Sequence, residues 1–354
     1  MKNELIKRNL PPLLSREEMA DILQREEYGY LPSVDFEMTV SEPTSIYGEY
    51  QIGNVEHSFV TMEIKTKHGS HAFRIDRLLH KDGKKRPLVI FNNFHPIYAS
   101  RYFPIEEMTE SDVDFLTCVY EDITADNGDF TNGLAPVILP NGQNTDTSPG
   151  KIMIWAWANM RILDYGLTLD TTDKENICIV GHSRLGKTAL VTAMLDTRFK
   201  FVYSNAAGCS GDALSKGNSG HEGEESKRNR GELISDIVRV FPYWFCKNYH
   251  KYTMANHAQN FDQHYLLASI APRYVLLGIC AHDLWADPYS QQLCLLASSK
   301  MWQDMGLSAF DVETPVNVGE SYLNSHTGCF VLNSRHYLSR HGWQHFLRFL
   351  ENNK

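Results

Sequence analysis

Ser183 lies where a strand, a tight turn and a helix are predicted to meet, and this setting suits a nucleophile. Residues 177–180 form a short apolar run rich in β-branched side chains, as expected for a strand buried on both faces. Residues 187–195 favour a helix, and Gly181 and Gly186 bracket the turn. A serine at such a turn holds its hydroxyl above the edge of the sheet, and the first N–H groups of the helix can stabilise an oxyanion. The pattern therefore indicates nucleophilic acyl transfer.

The turn departs from the usual G-x-S-x-G pattern of a nucleophile elbow. Gly181 precedes Ser183 at the expected spacing, but Leu185 stands where the second glycine is commonest, and Gly186 follows one residue later. On these residues alone, a serine that caps a helix after a buried strand explains the pattern equally well.

A serine nucleophile needs an acid and a base, which in α/β-hydrolases follow it in the order acid, then histidine. Residues 274–280 are a predicted strand, and Asp283 is the first carboxylate after that strand. Asp287 stands directly before Pro288, which is typical of an aspartate in a turn or a helix cap. Asp283 is therefore the preferred acid, and Asp287 is the alternative.

The base is expected on a loop just before the last helix, which is predicted at residues 342–353 with Ser339 as its cap. His336 and His341 both meet this condition, and their spacing does not separate them. His345 falls inside the helix, where we expect it at the surface.

The elements that position these residues alternate along the chain. Strands are predicted at 86–91, 115–120, 177–180, 199–203 and 274–280, and helical segments at 152–167, 187–195, 241–249, 291–305 and 342–353. This alternation predicts an α/β fold with a mostly parallel sheet covered on both faces. In a hydrolase of this kind the loop at 92–96 would supply a second oxyanion N–H, and a polar loop as long as 121–150 tends to line a functional site.

The residues before 85 follow a different pattern. Ser15 and Glu18 have the spacing of a capping box, and they open an amphipathic helix that ends at Gly29. Residues 36–79 alternate between apolar and polar side chains in short segments, which predicts two to four antiparallel strands. We predict one domain over residues 1–354, with an N-terminal extension at 1–84 and a catalytic core at 85–354.

Composition narrows the classes of partner. The chain has 354 residues and a net charge of -9, which argues against binding to nucleic acid. No run of 18 apolar residues is present, and the charged N-terminal residues do not resemble a secretory signal, so we expect a cytoplasmic protein without membrane contact. The seven cysteines are dispersed, so we expect buried reduced thiols and no metal site.

Residues 181–187 resemble the G-x-S-R-x-G-K signature of carbohydrate esterase family 15, the glucuronoyl esterases, and of related bacterial proteins labelled acetyl xylan esterase. Other stretches resemble motifs of this family in the same order, at 205–215, 241–246, 261–273 and 283–288. The resemblance covers roughly residues 85 to 350. It implies an α/β-hydrolase fold and a serine esterase that uses no metal or organic cofactor.

The resemblance also bears on the triad. The family places its histidine seven residues before a tryptophan that opens the last helix, and Trp343 makes His336 that histidine rather than His341. In fungal members the acid of the triad is a glutamate. The corresponding position in this sequence is about Ala206, which has no carboxylate and cannot act as the acid. Bacterial relatives can use the aspartate that corresponds to Asp283, in agreement with the chain order.

Further roles are implied by the family pattern alone. Arg184 would stabilise the oxyanion through its N–H and its guanidinium; the alternative is a salt-bridged arginine at the helix start, where the helix dipole disfavours a cation. Lys187 would bind sugar hydroxyls, and Trp285 would pack on the sugar ring or in the core. The acidic residue that contacts the sugar in the family has no clear match, and Glu232 and Asp236 are the candidates.

The expected activity is hydrolysis of a small carbohydrate ester, in particular an ester of (4-O-methyl-)glucuronic acid. Two alternatives remain open from the sequence. One is an acetyl esterase that acts on acetylated xylo-oligosaccharides, and the other is a non-catalytic carbohydrate-binding protein with a hydrolase fold. The sequence does not indicate the oligomeric state.

Overall fold

A computed structural model describes residues 1–46, 54–217, 231–254 and 258–354. The strands within these residues are β1 (Glu37–Val40), β2 (Thr44–Ser45), β3 (Val55–Thr66), β4 (Gly69–His80), β5 (Arg86–Asn93), β6 (Asp114–Val119), β7 (Thr172–His182), β8 (Phe201–Asn205), β9 (Tyr274–Cys280), β10 (Ser321–Tyr322) and β11 (Thr327–Leu332). The α-helices are α1 (Lys2–Arg8), α2 (Arg16–Leu23), α3 (Ile105–Thr109), α4 (Tyr120–Ile123), α5 (Ala135–Ile138), α6 (Lys151–Gly166), α7 (Arg184–Leu195), α8 (Ile234–Val240), α9 (His264–Ala268), α10 (Pro288–Asp304) and α11 (Arg340–Asn353).

The strands form one mixed sheet in the order β1-β3-β4-β6-β5-β7-β8-β9-β11-β10, with β2 paired to β3. Strands β6, β5, β7, β8, β9 and β11 are parallel and form the centre of the sheet. The remaining pairs are antiparallel and lie towards the two ends of the sheet. The predicted parallel sheet is therefore confirmed for the central part of the molecule.

Alternate side chains of the central strands enter two different apolar cores. On β7, Ile177 and Ile179 belong to a large core with helices α6, α7 and α10. Cys178 and Val180 face a smaller core that contains aromatic side chains of α11. Because successive side chains of a strand point to opposite faces, an uninterrupted apolar run is what a strand covered on both faces requires.

The N-terminal part of the chain contains the predicted helix and strands. The capping box of Ser15 and Glu18 opens α2, and a π-helical turn (Gln24–Tyr28) carries the chain to Gly29. Gly29 has φ +85°, and a Cβ there would lie 2.5 Å from Pro149 Cα. Four antiparallel strands follow, as predicted, and β4 joins them to β6. The sheet is therefore continuous across the predicted boundary between the extension and the core.

Several elements differ from the predictions. The predicted helix at 241–249 is wrong, because α8 ends before Pro242 and two short 3-10 segments follow (Pro242–Trp244 and Lys247–Thr253). The elements that were not predicted are helices α1, α3, α4, α5, α8 and α9 and strands β10 and β11; α5 and most of α4 lie within the predicted loop at 121–150. All seven cysteines are unpaired and buried, which confirms the expectation of reduced thiols. Among the residues that the structure describes, no helix has the length and apolar character needed to span a bilayer.

Candidate active site

Ser183 lies between β7 and α7 in a conformation that few residues other than glycine adopt. Its φ of 58° and ψ of −126° form the sharp turn of a nucleophile elbow. The Ser183 N–H donates to the backbone oxygen of Asn205 at the end of β8, 2.9 Å away. This bond fixes the turn to the neighbouring strand.

The two glycines of the motif have separate steric roles. A Cβ on Gly181 would lie 1.9 Å from the backbone oxygen of Leu185, so only glycine fits before the turn. A Cβ on Gly186 would lie 3.0 Å from Ser204 Oγ and 3.2 Å from Ala207 Cβ. Gly186 therefore lets α7 approach the residues that follow β8. This contact explains why the second glycine comes three residues after Ser183.

The structure brings Ser183, His336 and Asp283 together in one chain of hydrogen bonds. Ser183 Oγ donates to His336 Nε2 over 2.8 Å, and His336 Nδ1 donates to Asp283 Oδ2 over 2.6 Å. Asp283 follows β9, and His336 lies on the loop between β11 and α11. Both positions agree with the chain order expected for an α/β-hydrolase.

The alternative acid and the alternative bases lie elsewhere. Asp287 is the N-cap of α10, and its Oδ1 accepts the Ser290 N–H over 3.0 Å. His341 is exposed in the first turn of α11. His345 was expected at the surface, but it is half-buried and its ring stacks on Phe330 with 4.5 Å between the ring centroids.

A second histidine, His182, packs directly against His336, with 4.6 Å between their ring centroids. Its Nδ1 contacts the Asn205 side chain at 2.9 Å. Burial, together with the neighbouring His336, holds the pKa of His182 well below its usual range. His182 is therefore a neutral support for the His336 ring.

Arg184 is the first residue of α7 and lines the cavity in front of Ser183. Its Nη1 donates to Asp126 Oδ2 and forms an ion pair with that carboxylate. The guanidinium carbon lies 4.8 Å from the ring centroid of Trp244 and 5.3 Å from that of Phe241. Only 25% of the arginine side chain is exposed. Arg184 is therefore both salt-bridged and part of the cavity wall.

The second oxyanion donor expected from residues 92–96 is not supplied by Phe94. The Phe94 N–H donates to Asn93 Oδ1 over 2.9 Å and is not available for a substrate. Residues 92–96 are also absent from the cavity wall formed by the described residues. This leaves Arg184 as the residue of the predicted oxyanion hole that faces the cavity.

Three of the four predicted sugar-binding residues line the same cavity. Lys187 is buried, and its Nζ donates to the backbone oxygens of Ala207 and Cys209. Trp285 is 43% exposed at the cavity, so packing within the core does not explain this side chain. Burial raises the pKa of Glu232, and the charge of Lys187 opposes this effect.

The fourth candidate, Asp236, is not part of the described cavity wall. It lies in the first turn of α8, where its carboxylate accepts the Leu233 N–H over 3.0 Å. An acidic side chain at a helix N-terminus satisfies a free N–H group and interacts favourably with the helix dipole. Of the two acidic candidates, the structure therefore places Glu232 at the cavity.

The cavity has a volume of about 300 Å³. It is lined by Ser183, Arg184, Lys187, Ala206, Ala207, Gly208, Glu232, Phe241, Trp244, Asp283, Trp285, Ala286 and His336. Ala206 has a φ of 50° and contributes no carboxylate, as the sequence indicated. Asp283 is thus the acid that contacts His336.

Comparison with known proteins agrees with this geometry. Residues 108–306, more than half of the chain, match the family model described as glucuronyl esterase of fungi. The chain belongs to the glucuronoyl esterase family. It is 31% identical over 202 residues to carbohydrate esterase MZ0003 from an unknown prokaryotic organism, and 28% identical over 169 residues to a 4-O-methyl-glucuronoyl methylesterase of Cerrena unicolor.

These matches cover 57% and 46% of this glucuronoyl esterase family member, but only 44% and 34% of the two relatives. The match therefore spans less than half of the length of each of these two curated relatives. A solved CE15 esterase from a marine bacterial metagenome superposes with a TM-score of 0.84 at 23% identity, and the superposition covers 96% of this chain and 91% of the other. This likeness confirms the α/β-hydrolase fold.

Two features of this glucuronoyl esterase family member were not predicted as parts of the site. Asp126 lies in the long polar loop at 121–150, and nothing in its local sequence links it to Arg184, 58 residues later. Phe241 and Trp244 belong to a recognised family motif, but the motif gave them no role. For Asp126, the sequence signal was the length of the polar loop at 121–150, which is typical of a loop that lines a functional site.

Proposed function

We propose that this protein is a serine carboxylesterase that hydrolyses an ester of (4-O-methyl-)glucuronic acid. The observation that carries the proposal is the hydrogen-bonded series Ser183, His336 and Asp283 at a cavity that Arg184 also lines. Membership of the glucuronoyl esterase family supports this class of substrate.

Acylation would begin at the Ser183 hydroxyl. As Oγ attacks the ester carbonyl carbon, His336 Nε2 takes the hydroxyl proton, and Asp283 stabilises the imidazolium through Nδ1. The carbonyl oxygen becomes an oxyanion, for which Arg184 supplies positive charge. The tetrahedral intermediate then loses the alcohol, which takes the proton from His336, and a uronoyl ester of Ser183 remains.

Deacylation would use the same residues with water as the nucleophile. His336 is 46% exposed, so water can approach Nε2 from the open side of the cavity. The imidazole takes a proton from this water as its oxygen attacks the acyl carbon, and Ser183 regains its proton when the uronic acid leaves. The same imidazole thus acts as base and as acid in each half of the reaction.

The cavity wall favours a sugar acid over acetate as the acyl group. In a uronic ester the reacting carbonyl is attached directly to the sugar ring, so ring hydroxyls must lie near Ser183. Lys187 and Glu232 line the same cavity as Ser183, and Trp285 provides an exposed aromatic face there. An acetyl group has only a methyl on the acyl side, so any contact with these groups would have to come from the leaving alcohol.

A comparison of two esters tests the substrate class. Steady-state rates with methyl glucuronate and with 4-nitrophenyl acetate would give kcat/KM for both on the same enzyme preparation. We expect saturable hydrolysis of methyl glucuronate, and we expect Glu232→Gln to raise KM for this ester but not for the acetate. A clear preference for acetylated xylo-oligosaccharides over methyl glucuronate would support the acetyl esterase alternative instead.

Covalent labelling tests the non-catalytic alternative. A fluorophosphonate reacts with a serine whose hydroxyl is activated by a base, and peptide mass spectrometry identifies the labelled residue. We expect rapid labelling of Ser183 in the wild type and no labelling of Ser183→Ala. A folded wild-type protein that does not react would favour a carbohydrate-binding role.

A further inference from the structure

Arg184 is in an unusual electrostatic position for a residue that contacts an oxyanion. It begins α7, where the helix dipole disfavours a cation, and three quarters of its side chain is buried. Its Nη1 is bound to Asp126, but Nε is buried and has no hydrogen-bond partner among the residues that the structure describes. A partly buried cation in this position depends on the carboxylate that it binds.

Asp126 is held more firmly than an ordinary surface partner of an arginine. Trp244 Nε1 donates to Oδ1 over 2.7 Å, and the Tyr120 hydroxyl donates to Oδ2 over 2.9 Å. The Tyr243 hydroxyl donates to the backbone oxygen of Asp126 over 2.9 Å. Only 6% of the Asp126 side chain is exposed. Both carboxylate oxygens and the backbone oxygen are therefore fixed independently of Arg184.

The aromatic residues connect the two charges. Trp244 donates its N–H to Asp126 while its ring lies 4.8 Å from the Arg184 guanidinium carbon. Phe241 stacks on Trp244 with 3.8 Å between the ring centroids and forms a second aromatic contact with Arg184. The guanidinium thus has a bound carboxylate at one end and aromatic faces beside it, which leaves few alternative rotamers.

We propose that Asp126 is a positioning residue for Arg184, which holds the guanidinium at the place where the oxyanion forms. This inference rests on the esterase activity proposed above and extends it to a residue outside the series Ser183, His336 and Asp283. The Asp126 carboxylate offsets the desolvation cost of the partly buried Arg184 charge. Because hydrogen bonds fix this carboxylate in place, they also fix the guanidinium that it binds. The arrangement stabilises the transition state without reorganisation during the reaction.

The substitution Asp126→Asn tests the proposal because it removes the charge and keeps the size of the side chain. Its amide oxygen can still accept a hydrogen bond from Trp244 or Tyr120, but the ion pair with Arg184 is lost. We expect kcat for methyl glucuronate to fall by about 10- to 100-fold with little change in KM, since an oxyanion contact is made only in the transition state. Asp146→Asn is the matched control, because Asp146 is an exposed aspartate of the same loop.

A double-mutant cycle separates positioning from general structural support. If Asp126 acts through Arg184, Asp126→Asn lowers kcat by less than about twofold when Arg184 is already alanine. An equal loss in both backgrounds, or a folded Asp126→Asn enzyme with wild-type kcat, would overturn the proposal. Tyr120→Phe is a milder variant that keeps the ion pair, and we expect a loss of about threefold that also disappears in the Arg184→Ala background.

Labelling of Ser183 separates failure of this inference from failure of the proposed substrate. Phosphonylation develops negative charge on oxygen at the same place as ester hydrolysis, so Asp126→Asn is expected to slow fluorophosphonate labelling by a similar factor. A wild type that reacts with the fluorophosphonate but not with methyl glucuronate would rule out the proposed substrate. The labelling rates would still test the role of Asp126. Equal labelling rates in Asp126→Asn and wild type would overturn the role of Asp126 alone. A wild type inert to both reagents would overturn both.

Discussion

Two aspartates serve the two sides of Ser183 in different ways. Asp283 binds His336 on the side where protons move, and 46% of that histidine is exposed. Asp126 binds Arg184 on the side where the oxyanion forms, and there the partner is 25% exposed and enclosed by aromatic rings. The base is held by Asp283 and by the ring of His182 and has access to water, whereas the cation is enclosed by aromatic rings.

The difference follows from what each group must do. His336 must exchange its proton with an alcohol and a water, so contact with solvent is compatible with its task. Arg184 must offer a fixed charge in a site with little water, where each interaction is stronger and any movement costs transition-state stabilisation. The comparison predicts that kcat on the His336 side falls when the proton-transfer group is removed. On the Arg184 side, kcat should fall even when the positive charge is kept, if its position changes.

The largest effect is expected on the proton-transfer side. His336→Ala removes the base, and we expect kcat for methyl glucuronate to fall by about 10³- to 10⁴-fold. His341→Ala is the control, since this exposed histidine lies five residues later and contacts neither Ser183 nor Asp283 in the described structure. Comparable losses in both variants would mean that the assignment of the base is wrong.

On the oxyanion side, Arg184→Lys keeps the charge and removes the planar guanidinium. A lysine cannot contact Asp126 and the cavity with the same fork of donors, so we expect kcat to fall by about 100-fold. Steady-state kinetics would measure this against wild type. A lysine variant with nearly wild-type kcat would show that charge is sufficient and that the fixed geometry adds nothing.

The N-terminal part of the chain also supports the cavity wall near Lys187. The Tyr28 hydroxyl donates to the backbone oxygen of Ser210 over 3.1 Å, close to the carbonyls that bind Lys187. Beside it, Glu27 is fully buried and accepts two hydrogen bonds from Gln263 Nε2. Burial raises the pKa of Glu27 from 4.5 to about 7, and Asp262 contributes to this rise.

This raised pKa predicts a dependence of stability on pH. Between pH 4.5 and 7 the unfolded chain releases the Glu27 proton while the native protein retains it, so stability falls as the pH rises. Glu27→Gln lacks this titration, and we expect its unfolding free energy relative to wild type to rise by on the order of 3 kcal/mol from pH 4.5 to pH 8. Chemical denaturation at both pH values measures the difference, with exposed Glu17→Gln as the control. A difference that does not change with pH would contradict the buried acid.

The smallest effect is expected at the mouth of the cavity. Trp285→Ala removes an exposed aromatic face, and we expect KM for methyl glucuronate to rise by about 5- to 10-fold with kcat little changed. Leu284→Ala is the control, because Leu284 is 42% exposed, similar to the 43% of Trp285, and is not part of the described cavity wall. Equal values of KM in the two variants would remove Trp285 from the sugar site.

The sequence predicted best what local spacing determines. The strand Tyr274–Cys280 has the predicted bounds, and both Asp283 and His336 lie on the loops that follow strands, as the order of an α/β-hydrolase requires. The helix predicted at 241–249 was wrong. The prediction used the helical spacing of the apolar residues and did not take account of Pro242, which ends α8. The short strand Thr327–Leu332 was also not predicted.

The link between Asp126 and Arg184 could not be predicted in the same way. The two residues are far apart in the chain, and their contact depends on how the loop after β6 folds over α7. The tyrosine hydroxyl that holds Asp126 comes from α4, six residues earlier, but the tryptophan N–H comes from a segment 118 residues later. Such a contact depends on tertiary structure, so a single sequence indicates only that a long polar loop is present.

Release of methanol from methyl glucuronate by wild type and Ser183→Ala tests the central claim most directly. We expect the wild type to release methanol with saturable kinetics and the alanine variant, equally well folded by its thermal unfolding, to release none above the uncatalysed rate. Methanol release by Ser183→Ala at a rate near that of wild type would show that hydrolysis does not pass through this hydroxyl.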